Sequence, residues 1–292
     1  MNRHPLLDVE RIELSPDVYL SAVGRVFAVF DRRTQDSGNV SYGVQTTQGR
    51  YFVKTAGHPD DPTPFMSHSE RVSLLRNAVQ LRRSCNHPTL PPLHQVIASP
   101  TGPLLVYQWV DGELIRVDAA MRNDPQSTFQ RFRRLPSHEI IRALDLVYEL
   151  HHQLAQLGWI AVDFYDGCLI YDFNNRDLHI VDLDHYCEAP FINEMGRMFG
   201  SSRFMAPEEF ERGARIDEHT TVFTMGRTAA VLLSDGTLAR RPFRGSDALY
   251  EVVRHACHDD REKRYDSMVA FFAAWMDARV SDNRLERWTS DE

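Results

Sequence analysis

The chain has 292 residues, 42% of them apolar and 25% charged, proportions that suit a globular protein with a sizeable core, built as one large domain or two lobes sharing a cleft. Its 33 basic residues are dispersed among 41 acidic ones for a net charge of −8, which argues against a general nucleic-acid binder. No apolar run approaches a membrane span, Met1 to Pro5 lack the apolar core of a signal peptide, and Cys85, Cys168, Cys187 and Cys257 lack zinc-site spacing, so a reduced, cytoplasmic protein with no membrane or nucleic-acid partner is expected.

Residues 1–19 read as an N-terminal extension. Beyond it, Val23–Phe30, Val40–Thr46 and Arg50–Thr55 are rich in β-branched and aromatic residues and separated by turn residues, which predicts a three-stranded meander. The long polar connection 31–39 suits a loop over a ligand better than a tight hairpin. From Ser69 to Ser84 the apolar positions Val72, Leu75 and Val79 recur at helical spacing until His87-Pro88 ends the pattern. Leu104–Trp109 reads as a short strand, and residues 110–113 break it as a linker bordering a cleft would.

With Ser137 as N-cap, Ile140, Leu144, Val147, Leu150, Leu154 and Leu157 follow a helical period that Gly158 terminates. Cys168–Tyr171 and Leu178–Val181 flank the turn 174–177 as a small hairpin with acidic residues on both shoulders. Asp163 lies in the loop before this hairpin, and Asp182 closes the apolar run after it. A catalytic base on one loop and a hard oxygen ligand for magnesium on the next is the layout of phosphoryl transfer. Helices and loops then alternate to residue 279, and 281–292 read as a polar tail.

Taken in order, these landmarks resemble the eukaryotic-type protein kinase family from about Val23 to about Trp275. Tyr51–Lys54 is similar to the third-strand lysine motif and Leu105–Gly112 to the hinge. Asp163 stands where the catalytic-loop aspartate would, and Asp182-Leu183-Asp184 where the Asp-Phe-Gly motif would. Gly200–Glu208, ending in Ala206-Pro207-Glu208, resembles the end of the activation segment. Thr220–Gly226 resembles the start of the buried helix after it, and Asp259–Arg264 the arginine segment.

The resemblance implies an α+β, bilobal protein kinase-like fold. A small antiparallel-sheet N-lobe with one helix would occupy 20–109, and a larger, mostly helical C-lobe 110–280. It implies ATP and Mg²⁺, or Mn²⁺, as cofactors, with a protein substrate it does not identify. Lys54, Gly38, Asn39, Gln108 and Trp109 would contact the nucleotide, Asp182 with Asp166 or Asp184 the metal, and Asp163 the acceptor hydroxyl. Glu208 and Arg264 would form a buried ion pair that clamps the fold. Ser201 would lie near the acceptor, as in serine/threonine-specific members.

Several positions depart from the family's pattern. Ala161-Val162 precede Asp163 in place of His-Arg, so activation by loop phosphorylation is not expected. Cys168 replaces the asparagine that holds a second metal, and a neutral thiol is a poor Mg²⁺ ligand. Tyr165 replaces a lysine, Phe52 an alanine against adenine, and Thr221 an aspartate of the buried helix. Asn77 and Ala78 stand where a glutamate would pair with Lys54, and the glycine-rich loop is reduced to Ser37-Gly38-Asn39 and Gly43. Three readings are therefore open: an atypical serine/threonine protein kinase, a pseudokinase that binds nucleotide as a scaffold, and a small-molecule phosphotransferase.

Overall fold

Two periodicities build the chain: residues of period two near the start, which form a sheet, and longer helical repeats after it. The computed structural model describes residues 4–34, 37–61 and 66–290. The chain is α+β and divides into two compact units, Met1–Asp111 and Gly112–Glu292.

The first unit runs α1 (Pro16–Val23), β1 (Arg25–Phe30), β2 (Val40–Thr46), β3 (Gly49–Thr55), α2 (His68–Ser84), β4 (Leu93–Ser99) and β5 (Gly102–Gln108). Its strands form one antiparallel sheet in the order β1-β2-β3-β5-β4. Because side chains alternate across a strand, Tyr51 and Val53 share one face with Val44, Leu104 and Val106. Leu6, Ile12 and Leu20 complete that core. The described part of residues 1–19 is thus built into the unit and is not an appendage; its apolar residues Leu6, Leu7, Val9, Ile12 and Leu14 follow no sustained helical or strand period. The opposite face carries Leu105, packed with Leu75, Ala78 and Val79 of α2. A capping box opens α2: the Ser67 hydroxyl accepts the Glu70 N–H at 3.3 Å, and the Glu70 carboxylate accepts the Ser67 N–H at 2.6 Å.

The second unit runs β6 (Glu113–Leu114), α3 (Thr128–Arg133), α4 (Ser137–Gln156), β7 (Trp159–Ile160), β8 (Leu169–Asp172), β9 (Asp177–Ile180), β10 (Cys187–Glu188), β11 (Phe191–Ile192) and β12 (Arg215–Ile216). The helices α5 (Glu218–Leu233), α6 (Asp247–Ala256) and α7 (Met268–Ser290) follow. Ser137 is the first helical residue of α4 and not its cap; Pro136 takes the N-cap position, without a side-chain hydrogen bond. Gly158, at φ 84°, ends the helix in the left-handed region that glycine alone enters freely, and its N–H donates to the Ala155 carbonyl at 2.9 Å. Helix α5 is buried on every side from Thr220 to Gly226. The Tyr148 hydroxyl of α4 donates to the Met225 carbonyl at 3.0 Å, and Trp275 of α7 meets the Tyr148 ring edge-on at 4.9 Å. Helix α7 continues through Ser290, so most of the expected polar tail is helical. Residues 1–3 of the expected extension and 291–292 of the tail lie outside the described residues. No described helix is long and apolar enough to cross a membrane.

Candidate active site

The hairpin β8–β9, with Leu169 opposite Ile180 and Asp172 opposite Asp177, sets two acid-bearing turns side by side. Asp163 follows β7 and Asp182 follows β9. Both adopt positive φ, 61° and 60°, in the left-handed region that costs a residue with a side chain on the order of 1–3 kcal/mol. One buried side chain holds both turns. The Cys168 thiol donates to the Asp163 carbonyl at 3.4 Å and has the Asp182 carbonyl as its second acceptor at 4.0 Å. Burial, then the charges of Asp182 and Asp163, push this thiol well above its usual range, so it stays neutral. Thr221 on α5 anchors the approach to Asp163: its hydroxyl accepts the Ala161 N–H at 3.1 Å.

Asp163 is partly exposed and faces His185, whose Nε2 lies 3.9 Å from its carboxylate. Asp182 is exposed, whereas Asp184 is buried, so the two project differently from one turn. Asp166, expected as a metal ligand, is committed elsewhere. It is buried, and its Oδ2 takes the Arg203 guanidinium at 2.5 Å. Among the described residues, no group of three or more His, Cys, Asp and Glu side chains converges as a metal cage. Tyr165 is pushed above its ordinary range by burial, then by Cys168, Asp163 and Asp182, and remains a neutral phenol where the kinase pattern has a cation.

The stretch 200–209 borders Asp163. Gly200 sits at φ 134°, and a β-carbon there would lie 3.6 Å from Asp163 Oδ1 and 3.2 Å from Met205. Ser201 follows it directly and closes a turn, its carbonyl accepting the Phe204 N–H at 2.8 Å. Glu208 and Arg264 form a two-pronged ion pair at 2.7 and 3.0 Å, with the Thr220 hydroxyl donating to Glu208 at 2.9 Å. Burial raises the Glu208 carboxyl, but the hydrogen bonds and charge of Arg264, with Thr220, outweigh it and leave the group below its ordinary value. The adjacent Glu209 is also buried but makes no ion pair among the described residues: it accepts the Ala206 N–H at 2.6 Å, and desolvation carries its pKa to about 8.

In the first unit, Lys54 is buried on β3, opposite Ser41 and Leu105. Alternation puts it on the face of Phe52, where the Phe52 ring meets Phe30 at 5.9 Å. Gly43, opposite Phe52, leaves room for two more rings, since a β-carbon there would touch Phe27 at 2.8 Å and Trp109 at 2.9 Å. Gln108 is exposed and meets His94 at 3.1 Å. Gly38 and Asn39 line a cavity of about 340 Å³, and Arg71 fixes that loop by donating to the carbonyls of Gly38 at 2.6 Å and His58 at 2.9 Å. Nothing in the sequence announced Arg71 or Arg203, which act on partners remote in the chain. Thr221 was marked only as standing in place of an aspartate of the buried helix, and its bond to Ala161 was not foreseen.

No protein-family model matches the chain, and no curated protein matches it.

Proposed function

We propose that this chain is an atypical member of the protein kinase-like group, with a bilobal kinase-like fold, that transfers the γ-phosphate of ATP to serine or threonine hydroxyls of a protein. The observation that carries the reading is the pair Asp163 and Asp182, on two adjacent turns joined through one buried thiol and both held at positive φ. Strain of this kind persists where the surroundings over-determine the backbone, and it gathers at functional sites.

In this reading each group has a separate task. The Asp163 carboxylate orients the acceptor hydroxyl and receives its proton. Asp182, exposed and next to the buried Asp184, supplies the hard oxygen that a divalent cation takes; the cation, Mg²⁺ or Mn²⁺, would neutralise phosphate charge. Lys54 contacts phosphate oxygens as a point charge, and Phe27, Phe52 and Trp109 offer aromatic surface to a planar base. With Asp166 bound to Arg203 and Cys168 neutral, the residues fit one cation better than two.

The same two features favour a second reading, a pseudokinase that binds nucleotide without transfer, because both remove a metal ligand. Calorimetry of ATP binding with and without Mg²⁺ tests the assignment of roles. Asp182→Ala should remove the metal-dependent part of binding, and Asp163→Asn should leave it intact. Equal loss in both variants would contradict the division.

A further inference from the structure

Beside the turn of Asp163 the second unit gathers four arginines, of which, among the described residues, only Arg203 is paired with a carboxylate. The Arg116 N–H donates to the Asp166 carbonyl at 3.1 Å, and its guanidinium stands 6.0 Å from the Tyr165 ring centre. Arg133 and Arg203 each lie 5.4 Å from the Phe129 ring centre. Arg203 is held by Asp166 at 2.5 Å, whereas Arg133 donates to the Ser234 carbonyl. Arg244 donates to the carbonyls of Arg133 and, at 2.7 Å, Leu135. Among the described residues Arg116, Arg133 and Arg244 make no ion pair. Burial lowers the pKa of Arg133; Asp235 opposes this, and the charges of Arg244 and Arg203 add to the lowering.

Like charges brought together and partly stripped of water repel, and an arriving anion relieves that repulsion. The chain as a whole carries −8, so the patch stands against its own background. Next to Arg116 opens a cavity of about 390 Å³, also lined by Gln126 and Thr128, with Asp118 as its one carboxylate. The guanidinium fork matches a carboxylate in two parallel hydrogen bonds. The patch is short and interrupted by Phe129, which suits a few side-chain carboxylates better than the continuous charge of a nucleic acid.

We infer that the acceptor is an acidic protein segment whose carboxylates are taken by Arg116, Arg133 and Arg244, an inference that rests on the transfer reading above. The test is fluorescence anisotropy on the full chain with three labelled probes: a serine peptide flanked by aspartates and glutamates, the same peptide with lysines in their place, and a single-stranded oligonucleotide. The acidic peptide should bind about tenfold or more tighter than the basic one, and its affinity should fall with salt. Arg116→Ala and Arg244→Ala, both at exposed positions, should each weaken it about threefold or more. Equal affinity for the two peptides, preference for the oligonucleotide, or unchanged affinity in both variants would overturn the inference. Anisotropy involves no transfer step, so acidic selectivity without phosphate transfer upholds this surface and removes the transfer reading. Transfer without charge preference does the reverse.

Discussion

The hydroxyl of Thr221, on the buried helix α5, accepts the backbone N–H of Ala161 at 3.1 Å, and so fixes the strand of chain that delivers Asp163. Both residues are almost wholly buried, so the N–H has no water to fall back on. Thr221→Val keeps the shape and removes the acceptor. It should cost about 1–3 kcal/mol, the penalty of an unsatisfied buried donor, read from urea unfolding. Thr221→Ser should recover most of that loss, and a Thr221→Val protein as stable as the wild type would show that the bond holds nothing.

Glu208 and Arg264 make the best-satisfied buried ion pair of the second unit, the guanidinium also donating to the carbonyls of His258, Asp259 and His219. Removing one partner leaves the other charged and buried, so Arg264→Leu should destabilise by about 3–5 kcal/mol. The folded-state pKa of Glu208 is depressed, so its contribution is present above its unfolded value near 4.5 and lost as pH falls through the lower folded value. Urea unfolding followed by circular dichroism at a series of pH values should therefore show Glu208→Gln less stable than the wild type at neutral pH, with the difference closing as pH falls through that window; a difference independent of pH would contradict the assignment.

Glu209 runs the other way. Its pKa rises from 4.5 unfolded to about 8 folded, chiefly because burial penalises the charge. The folded chain then holds a proton that the unfolded chain gives up, so stability is full below about 4.5 and declines as pH rises towards about 8. Glu209→Gln retains an oxygen for the Ala206 N–H and cannot ionise. Melting temperatures of this variant should be flatter than those of the wild type across that window, and parallel curves would contradict the assignment.

Arg203 and Asp166 tie the stretch 200–209 to the turn after Asp163. The Arg203 carbonyl is itself taken by Arg227 at 2.9 Å. Arg203→Met should strand the Asp166 charge in the interior and cost about 3–5 kcal/mol, whereas the double change with Asp166→Asn should recover part of it. A double-mutant cycle by chemical unfolding reads the coupling directly, and additive losses would mean the pair contributes nothing of its own.

How far the sequence reached follows from the range of each signal. Strands β1 to β3 and helices α2 and α4 are long enough for their periods to repeat, and they form within a few residues of where the pattern put them. Strand β4 escaped because Leu93–Ser99 places His94 and Gln95 among its apolar residues. The N-terminal stretch escaped because Leu6, Leu7, Val9 and Ile12 reach the core without a regular period. Asp163 and Asp182 were visible through their order along the chain. The left-handed backbone at both, and the thiol that joins them, arise from packing around the hairpin, which no local pattern encodes. The commitment of Asp166 to Arg203 was not visible because that partner lies far along the sequence.

The most direct test of the central claim is transfer of labelled γ-phosphate from ATP, with Mg²⁺ and separately Mn²⁺, to the chain itself and to an added acidic protein, for the wild type and Asp163→Asn. Acid hydrolysis then identifies the acceptor residue. Phosphoserine or phosphothreonine that forms with the wild type and disappears with Asp163→Asn is the result expected here. Absence of label in the wild type under both metals, with ATP still bound, would contradict transfer and leave the nucleotide-binding scaffold in its place.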